Sequence, residues 1–269
     1  MEKKKLKYPS DWIQRKQSGI PISVITAYDA SMARLAEHTS VDAILTGDSL
    51  SMVVQGNQST LPVTLDEMIY HSRLVRQGAP DRFLIGDLPF GSYQESEEKA
   101  LHNSFRMMKE SRTDAVKMEG CDLTTLKIIE KLVRSGVPVM GHIGLLPQSY
   151  LSQGGYRVHG KSESDAKILM QSAKDLESAG VFSMIMEYIT ETAAREITDS
   201  LTVPTIGIGS GKFTSGQVLV WHDALGMETD FKPRHAKRYA NLDKIIVDAL
   251  NEFDREVKDR NFPGKENSF

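Results

Sequence analysis

The sequence predicts a (β/α)8 TIM barrel, and three observations carry that expectation. Eight short apolar runs rich in branched residues recur along the chain, helical patterns separate most of them, and 269 residues match the roughly 250 typical of the fold.

The elements follow in order. An amino-terminal helix precedes the first run, Ile22-Ser-Val-Ile-Thr-Ala-Tyr28, and Ala43-Ile-Leu-Thr-Gly-Asp48 is the second. Thr64-Leu-Asp-Glu67 is a capping box opening a helix that ends near Gly78. Strand three is Phe83-Leu-Ile-Gly-Asp87, followed by a helix from Glu95 to Arg112; strand four is Ala115-Val-Lys-Met-Glu119, followed by a helix from Asp122 to Ser135. Pro138-Val-Met-Gly-His-Ile143 is strand five, and Ser162-Glu-Ser-Asp165 starts a helix that stops at Gly180. Ser183-Met-Ile-Met-Glu187, a helix from Glu191 to Ser200, Val203-Pro-Thr-Ile-Gly-Ile208 and Gln217-Val-Leu-Val-Trp221 complete the series. The last joint breaks the rhythm. Between Ile208 and Gln217 lies only Gly-Ser-Gly-Lys-Phe-Thr-Ser-Gly, whereas a parallel crossover normally needs about a dozen residues. Either strand eight is misplaced or the connection between the last two strands is irregular.

Composition points to one globular domain over residues 1–269, with a charged tail from Asn251 to Phe269 expected as surface helix fading into a mobile end. The formal charge of −3 gives no electrostatic reason to expect nucleic acid. No apolar run approaches the ~20 residues of a membrane span, so no membrane partner is expected. The amino-terminal Met-Glu-Lys-Lys-Lys-Leu-Lys has the positive flank of a signal peptide but no apolar segment behind it. A single cysteine, Cys121, excludes an intramolecular disulfide framework and suits a reducing, cytoplasmic setting.

Asp48, Asp87, Glu119 and Glu187 end four of the strand-like runs. Carboxylates gathered at the carboxyl ends of barrel strands repel one another unless a cation joins them, and function in this fold is built at that face. Side chains two apart along a strand share a face, so Lys117 points with Glu119 while Val116 and Met118 point the other way. The pattern suggests a metal-centred site, with a structural ion pair filling the barrel mouth as the plainer alternative. His142, at the end of strand five, could hydrogen-bond a substrate oxygen or be a satisfied structural histidine; Ser49 could bind a carboxylate or cap a loop. Gly207-Ile-Gly-Ser-Gly211 lacks dinucleotide-binding spacing and reads as a tight active-site loop. His71 and His222 have no metal-ligand spacing, and the methionines read as core.

Gly47-Asp-Ser-Leu50, Thr60-Leu-Pro-Val-Thr64, Asp87-Leu-Pro-Phe-Gly-Ser-Tyr93, Gly141-His-Ile-Gly-Leu-Leu-Pro-Gln-Ser149, Gly154-Gly-Tyr-Arg-Val-His-Gly160 and Gly207-Ile-Gly-Ser-Gly211 stand in one order along the chain. With Phe231-Lys-Pro-Arg234 and Lys237-Arg-Tyr239, this set resembles the ketopantoate hydroxymethyltransferase family from about Ile22 to Tyr239. The resemblance implies a Mg2+-dependent barrel enzyme. It would transfer a one-carbon unit from 5,10-methylenetetrahydrofolate to 3-methyl-2-oxobutanoate, giving 2-dehydropantoate in pantothenate biosynthesis.

By the same resemblance Asp48, Asp87 and Glu119 are the metal-site acids, some acting through water. Ser49 and Lys117 hold the 2-oxo acid, and Glu187 is the base; Asp48, Asp87 and His142 are further candidates for contact with the substrate. It also implies a homo-oligomer, often a decamer. Three positions depart from the usual pattern: Thr190 replaces a proline, Ser215 an aspartate, and Cys121 a glycine. These changes bear on loop shape, folate fit and rate. The alternatives are a folate-independent carbon–carbon lyase or mutase acting on a 2-oxo acid, and a non-catalytic ligand-binding barrel.

Overall fold

The computed structural model describes residues 5–227 and 233–269, so Phe231 and Lys232 of the closing Phe231-Lys-Pro-Arg234 motif lie outside the described residues. The chain divides into two compact units, Met1–Leu219 and Val220–Phe269. In the first, parallel strands β1 (Ile22–Thr26), β2 (Ala43–Thr46), β3 (Phe83–Asp87), β4 (Ala115–Lys117), β5 (Val139–Gly144), β6 (Ser183–Glu187), β7 (Thr205–Ile208) and β8 (Gly216–Leu219) form a closed barrel in sequence order. Pairing of β8 with β1, through Val24 and Val218 among others, leaves the sheet without an edge.

Helices α1 (Pro9–Gln17), α2 (Ala30–Glu37), α3 (Leu50–Val53), α4 (Leu65–Gly78), α5 (Glu97–Ser111), α6 (Leu123–Arg134), α7 (Glu163–Ala179) and α8 (Glu191–Ser200) accompany the strands. Their starts are written in the sequence. Thr64 and Glu67 exchange the reciprocal bonds of a capping box, Asp122 and Ser162 cap α6 and α7, and Gly180 ends α7 in the left-handed conformation. The predicted start at Glu95 shifts to α5 because the Ser96 hydroxyl accepts the Lys99 N–H.

The short last connection is irregular, as expected, and contains no helix. The Ile22 N–H donates to the Ser215 carbonyl at 3.0 Å, and the Thr214 hydroxyl donates to the Gly216 carbonyl at 2.7 Å. Strand eight is shorter than the apolar run suggested. Its ladder with β1 ends at Leu219, and Trp221 begins helix α9 (Trp221–Leu225) in the second unit.

Strand alternation sorts the apolar residues into two cores. Ile22, Val24, Ala43, Leu45, Phe83, Ile85, Met140, Ile185 and Val218 fill the barrel interior, whereas Val116, Met118, Val139, Met184 and Met186 pack outward with helix residues such as Ile128, Leu132 and Leu176. Helix α1 closes the amino-terminal mouth. Trp12 is fully buried there, with its ring 5.3 Å from Phe83 and 5.4 Å from Phe182 in edge-on contacts. Trp12→Ala is expected to cost about 3–5 kcal/mol, read as a lower urea midpoint with the m-value retained.

The second unit contains α9 and α10 (Leu242–Lys258), with the Gly226 carbonyl accepting the Asp243 N–H at 2.8 Å. No residue of α10 is buried, and Ile245, Leu250 and Phe253 are exposed along it.

Candidate active site

Following the inward face of each strand toward its carboxyl end, apolar side chains give way to charged ones. Ile85 leads to Asp87, Ala115 to Lys117 and Glu119, Met140 to His142, and Ile185 to Glu187. Register places Asp87 opposite Lys117 and Gly144 opposite Glu187. Gly144 has to be glycine: its φ is +96°, and a Cβ there would lie 2.2 Å from the Glu187 carbonyl oxygen. The backbones of β5 and β6 therefore approach closely where the acid is presented.

The predicted residues form one connected group. Lys117 Nζ lies 2.9 and 2.8 Å from the two Asp87 carboxylate oxygens and 3.4 Å from Glu119 Oε1. The Asp48 N–H donates to Asp87 Oδ2 at 3.2 Å. His142 sits between two acids, Nδ1 3.3 Å from Glu119 Oε1 and Nε2 3.5 Å from Glu187 Oε2, at ion-pair distance without hydrogen-bond alignment. Ser49 adjoins through its peptide to Asp48, and its hydroxyl lies 2.8 Å from the Tyr28 hydroxyl. Asp48, Asp87, Lys117, Glu119 and His142 are buried, whereas the Glu187 side chain is 16 % exposed.

Burial governs the electrostatics. It pushes the Asp48 carboxyl well above its ordinary range, reinforced by Asp87 and opposed by Lys117. It raises Asp87 more than the Lys117 ammonium lowers it, whereas the pull of Lys117 and His142 on Glu119 outweighs burial and holds that carboxyl down. For Lys117 the three surrounding acids overcome burial and keep the ammonium above its usual value. Burial and Lys117 oppose a proton on His142, but Glu119 and Glu187 prevail and push it up to about 9.

Because its folded-state value is the higher one, the His142 contribution to stability is complete below 6.5 and lost as pH rises through about 9. Chelator-treated protein is therefore expected to lose urea resistance over that range. His142→Gln should flatten this slope, and a variant slope equal to the wild-type one would remove His142 as its cause.

No three His, Cys, Asp or Glu side chains among the described residues are grouped tightly enough to enclose a metal ion by themselves. The donor set nevertheless fits Mg2+, which is usually held by one or two carboxylates together with water and substrate oxygens. A cation beside Asp48 would relieve the carboxyl that burial and Asp87 disfavour.

Several site residues escaped the sequence reading. Gln148, in the 3-10 turn Pro147–Ser149, touches both Asp48 and Glu119; Tyr93 touches Gln148 and Glu119; Tyr28 touches Ser49. Gln148 and Tyr93 stand inside the motifs quoted above, but on loops, where no periodicity reports direction. Gly207–Gly211 is indeed a tight loop. Its Ser210 hydroxyl donates to the Met186 carbonyl at 2.7 Å and accepts the Ile189 N–H at 3.1 Å, bracing the end of β6.

Thr190 has a structural consequence. Its N–H donates to the His159 carbonyl at 2.9 Å, a bond proline cannot make, and its hydroxyl donates to the Gly160 carbonyl at 2.8 Å. The loop before α7 is thereby tied to the end of β6. His71 Nδ1 lies 2.6 Å from the Tyr28 carbonyl oxygen, outside the acid cluster.

The sequence profile described as ketopantoate hydroxymethyltransferase matches residues 8–265. A Thermotoga sp. (strain RQ2) protein named 3-methyl-2-oxobutanoate hydroxymethyltransferase is 51% identical, covering 92% of this chain and 91% of its own. One of the same name from Leptospira interrogans is 50% identical, covering 92% and 94%. Among solved structures, phosphonopyruvate hydrolase superposes with a TM-score of 0.63 at 12% identity, over 97% of this chain and 93% of that one. A 2,3-dimethylmalate lyase of the PEP mutase/isocitrate lyase superfamily gives 0.61 at 16%, over 98% and 93%. At such identities these two likenesses bear on the barrel fold alone.

Proposed function

The chain belongs to the ketopantoate hydroxymethyltransferase family, and we propose that it transfers a hydroxymethyl group from 5,10-methylenetetrahydrofolate to 3-methyl-2-oxobutanoate with Mg2+. The product is 2-dehydropantoate, a step of pantothenate and coenzyme A biosynthesis. It is an enzyme of the transferase class, as its relatives are named. The observation that carries the reaction is a separation of roles. Glu187, the more open acid, stands across His142 from the buried group of Asp48, Asp87, Lys117 and Glu119.

Asp48, Asp87 and Glu119 would hold the ion, some of them through water, since both oxygens of Asp87 and of Glu119 already accept protein donors. When bound, Mg2+ supplies a Lewis acid that polarises the 2-oxo group. Ser49 and the Lys117 ammonium anchor the 2-oxo acid, and Lys117 offsets negative charge developing near the keto oxygen. Glu187 takes the C3 proton, leaving a carbon nucleophile that attacks the one-carbon unit of the folate; both C–N bonds to that carbon break, tetrahydrofolate leaves, and water supplies the oxygen of the new hydroxymethyl group. His142, held protonated between Glu119 and Glu187, keeps the Glu187 side chain aimed. Holding both substrates in line contributes as much as the proton transfer.

An assay with 3-methyl-2-oxobutanoate, methylenetetrahydrofolate and Mg2+ tests the reading. Chelation should abolish turnover, Mg2+ should restore it, and borohydride with substrate should trap no adduct at Lys117. Turnover without folate would favour a lyase or mutase instead, and chelator-resistant turnover with a trapped lysine would replace the metal by a Schiff base.

We also read the protein as a cytoplasmic homo-oligomer, decameric by family resemblance. The exposed apolar side chains of α10 support association, and light scattering showing a persistent monomer would overturn it. No described helix is long and apolar enough to cross a membrane.

A further inference from the structure

We infer that Gln148 is a positioning residue that fixes Asp48 and Glu119 for the cation, with Tyr93 setting the direction of its amide. The inference rests on the metal reading above. Gln148 lies on a loop rather than a strand, yet it is buried and reaches the two acids with two different groups. Its backbone N–H donates to Glu119 Oε2 at 3.1 Å. Its side-chain amide donates to Asp48 Oδ2 at 3.0 Å and to the Leu88 carbonyl at 2.9 Å.

The amide oxygen accepts from the Tyr93 hydroxyl at 2.8 Å and from the Gln94 amide at 3.3 Å. Tyr93 in turn accepts the Glu119 N–H at 3.2 Å. The result is a closed circuit from the Glu119 backbone through Tyr93 and Gln148 back to the Glu119 carboxylate, with Asp48 held as a branch from the Gln148 amide. Only one orientation of the amide serves it, because a flipped amide would set its oxygen against the Asp48 carboxylate and the Leu88 carbonyl.

Commitment of Asp48 Oδ2 to Gln148 leaves Oδ1 without a protein donor among the described residues, free to face a cation. The loop after β5 thus sets the rotamer of an acid two residues past the end of β2. Hydrogen-bond partners behind metal ligands typically change metal affinity or activity 10–100-fold when removed, of the size this arrangement implies.

Calorimetric titration of the full chain with Mg2+, with C3 proton exchange measured at each metal concentration, tests the inference. Gln148→Met keeps length and removes all four side-chain hydrogen bonds; it should weaken Mg2+ binding 10–100-fold while the exchange rate recovers at saturating Mg2+. Tyr93→Phe should weaken binding in the same direction by less, and the double variant should be less than additive because both act through one amide. Unchanged Mg2+ affinity in Gln148→Met, or an exchange rate that saturating metal leaves low, overturns the inference. Should Gln148→Met fail to fold, Tyr93→Phe decides: weakened Mg2+ binding supports the inference and wild-type binding overturns it. A wild-type chain that binds Mg2+ but transfers no hydroxymethyl group would overturn the functional reading and leave this one standing.

Discussion

Glu187→Gln is expected to slow deuterium exchange at C3 of 3-methyl-2-oxobutanoate by roughly 10²–10⁴-fold, the usual cost of a lost general base. Binding of the 2-oxo acid in the presence of Mg2+ should survive, because the substitution keeps size and hydrogen bonding and lies across His142 from Asp48, Asp87 and Lys117. Asp48→Asn should do the opposite, weakening metal-dependent substrate binding, since its work precedes proton transfer. The measurement is exchange in D2O alongside substrate affinity. Wild-type exchange in Glu187→Gln would mean that another group is the base. His142 is the neighbour to test first, although two carboxylates hold its proton to about pH 9 and make it a poor acceptor at neutral pH.

What the sequence disclosed, and what it hid, divides along backbone regularity. A strand has period two, so once Ala115, Ile85 and Ile185 are inward, Lys117, Asp87 and Glu187 follow onto the same face; the acid cluster was legible for that reason. Met118, one step out of phase, packs against the helix layer as alternation requires. Gln148 and Tyr93 were not legible, because a loop side chain takes its direction from turn geometry and from partners distant in sequence. Trp12 likewise shows only an amphipathic helix, and nothing local says that its ring meets Phe83 and Phe182. The end of β8 was misjudged because Val218-Leu-Val-Trp221 is apolar throughout, while the ladder that ends at Leu219 depends on β1.

Lys117→Met should be the most damaging substitution to the metal-free fold. The ammonium is buried against both Asp87 oxygens and Glu119, so deleting it while keeping most of the stem leaves Asp48, Asp87 and Glu119 uncompensated. Removing one partner of a buried ion pair costs about 3–5 kcal/mol, on the order of 10 °C in Tm for a chain of this size. The deficit has a definite pH dependence. Without Lys117 the buried carboxyls bind protons more tightly folded than unfolded, so the loss should be full at neutral pH and shrink as pH falls toward the ordinary carboxylate range. Added Mg2+ should restore part of the stability, because a cation beside Asp48 and Asp87 replaces some of the missing positive charge and binds only the folded chain. Thermal melts at neutral and acid pH, with chelator or Mg2+, separate these effects. If Lys117→Met melts with the wild-type protein in chelator at neutral pH, protonation of the acids, and not the ammonium, is what lets three carboxyls share the barrel mouth.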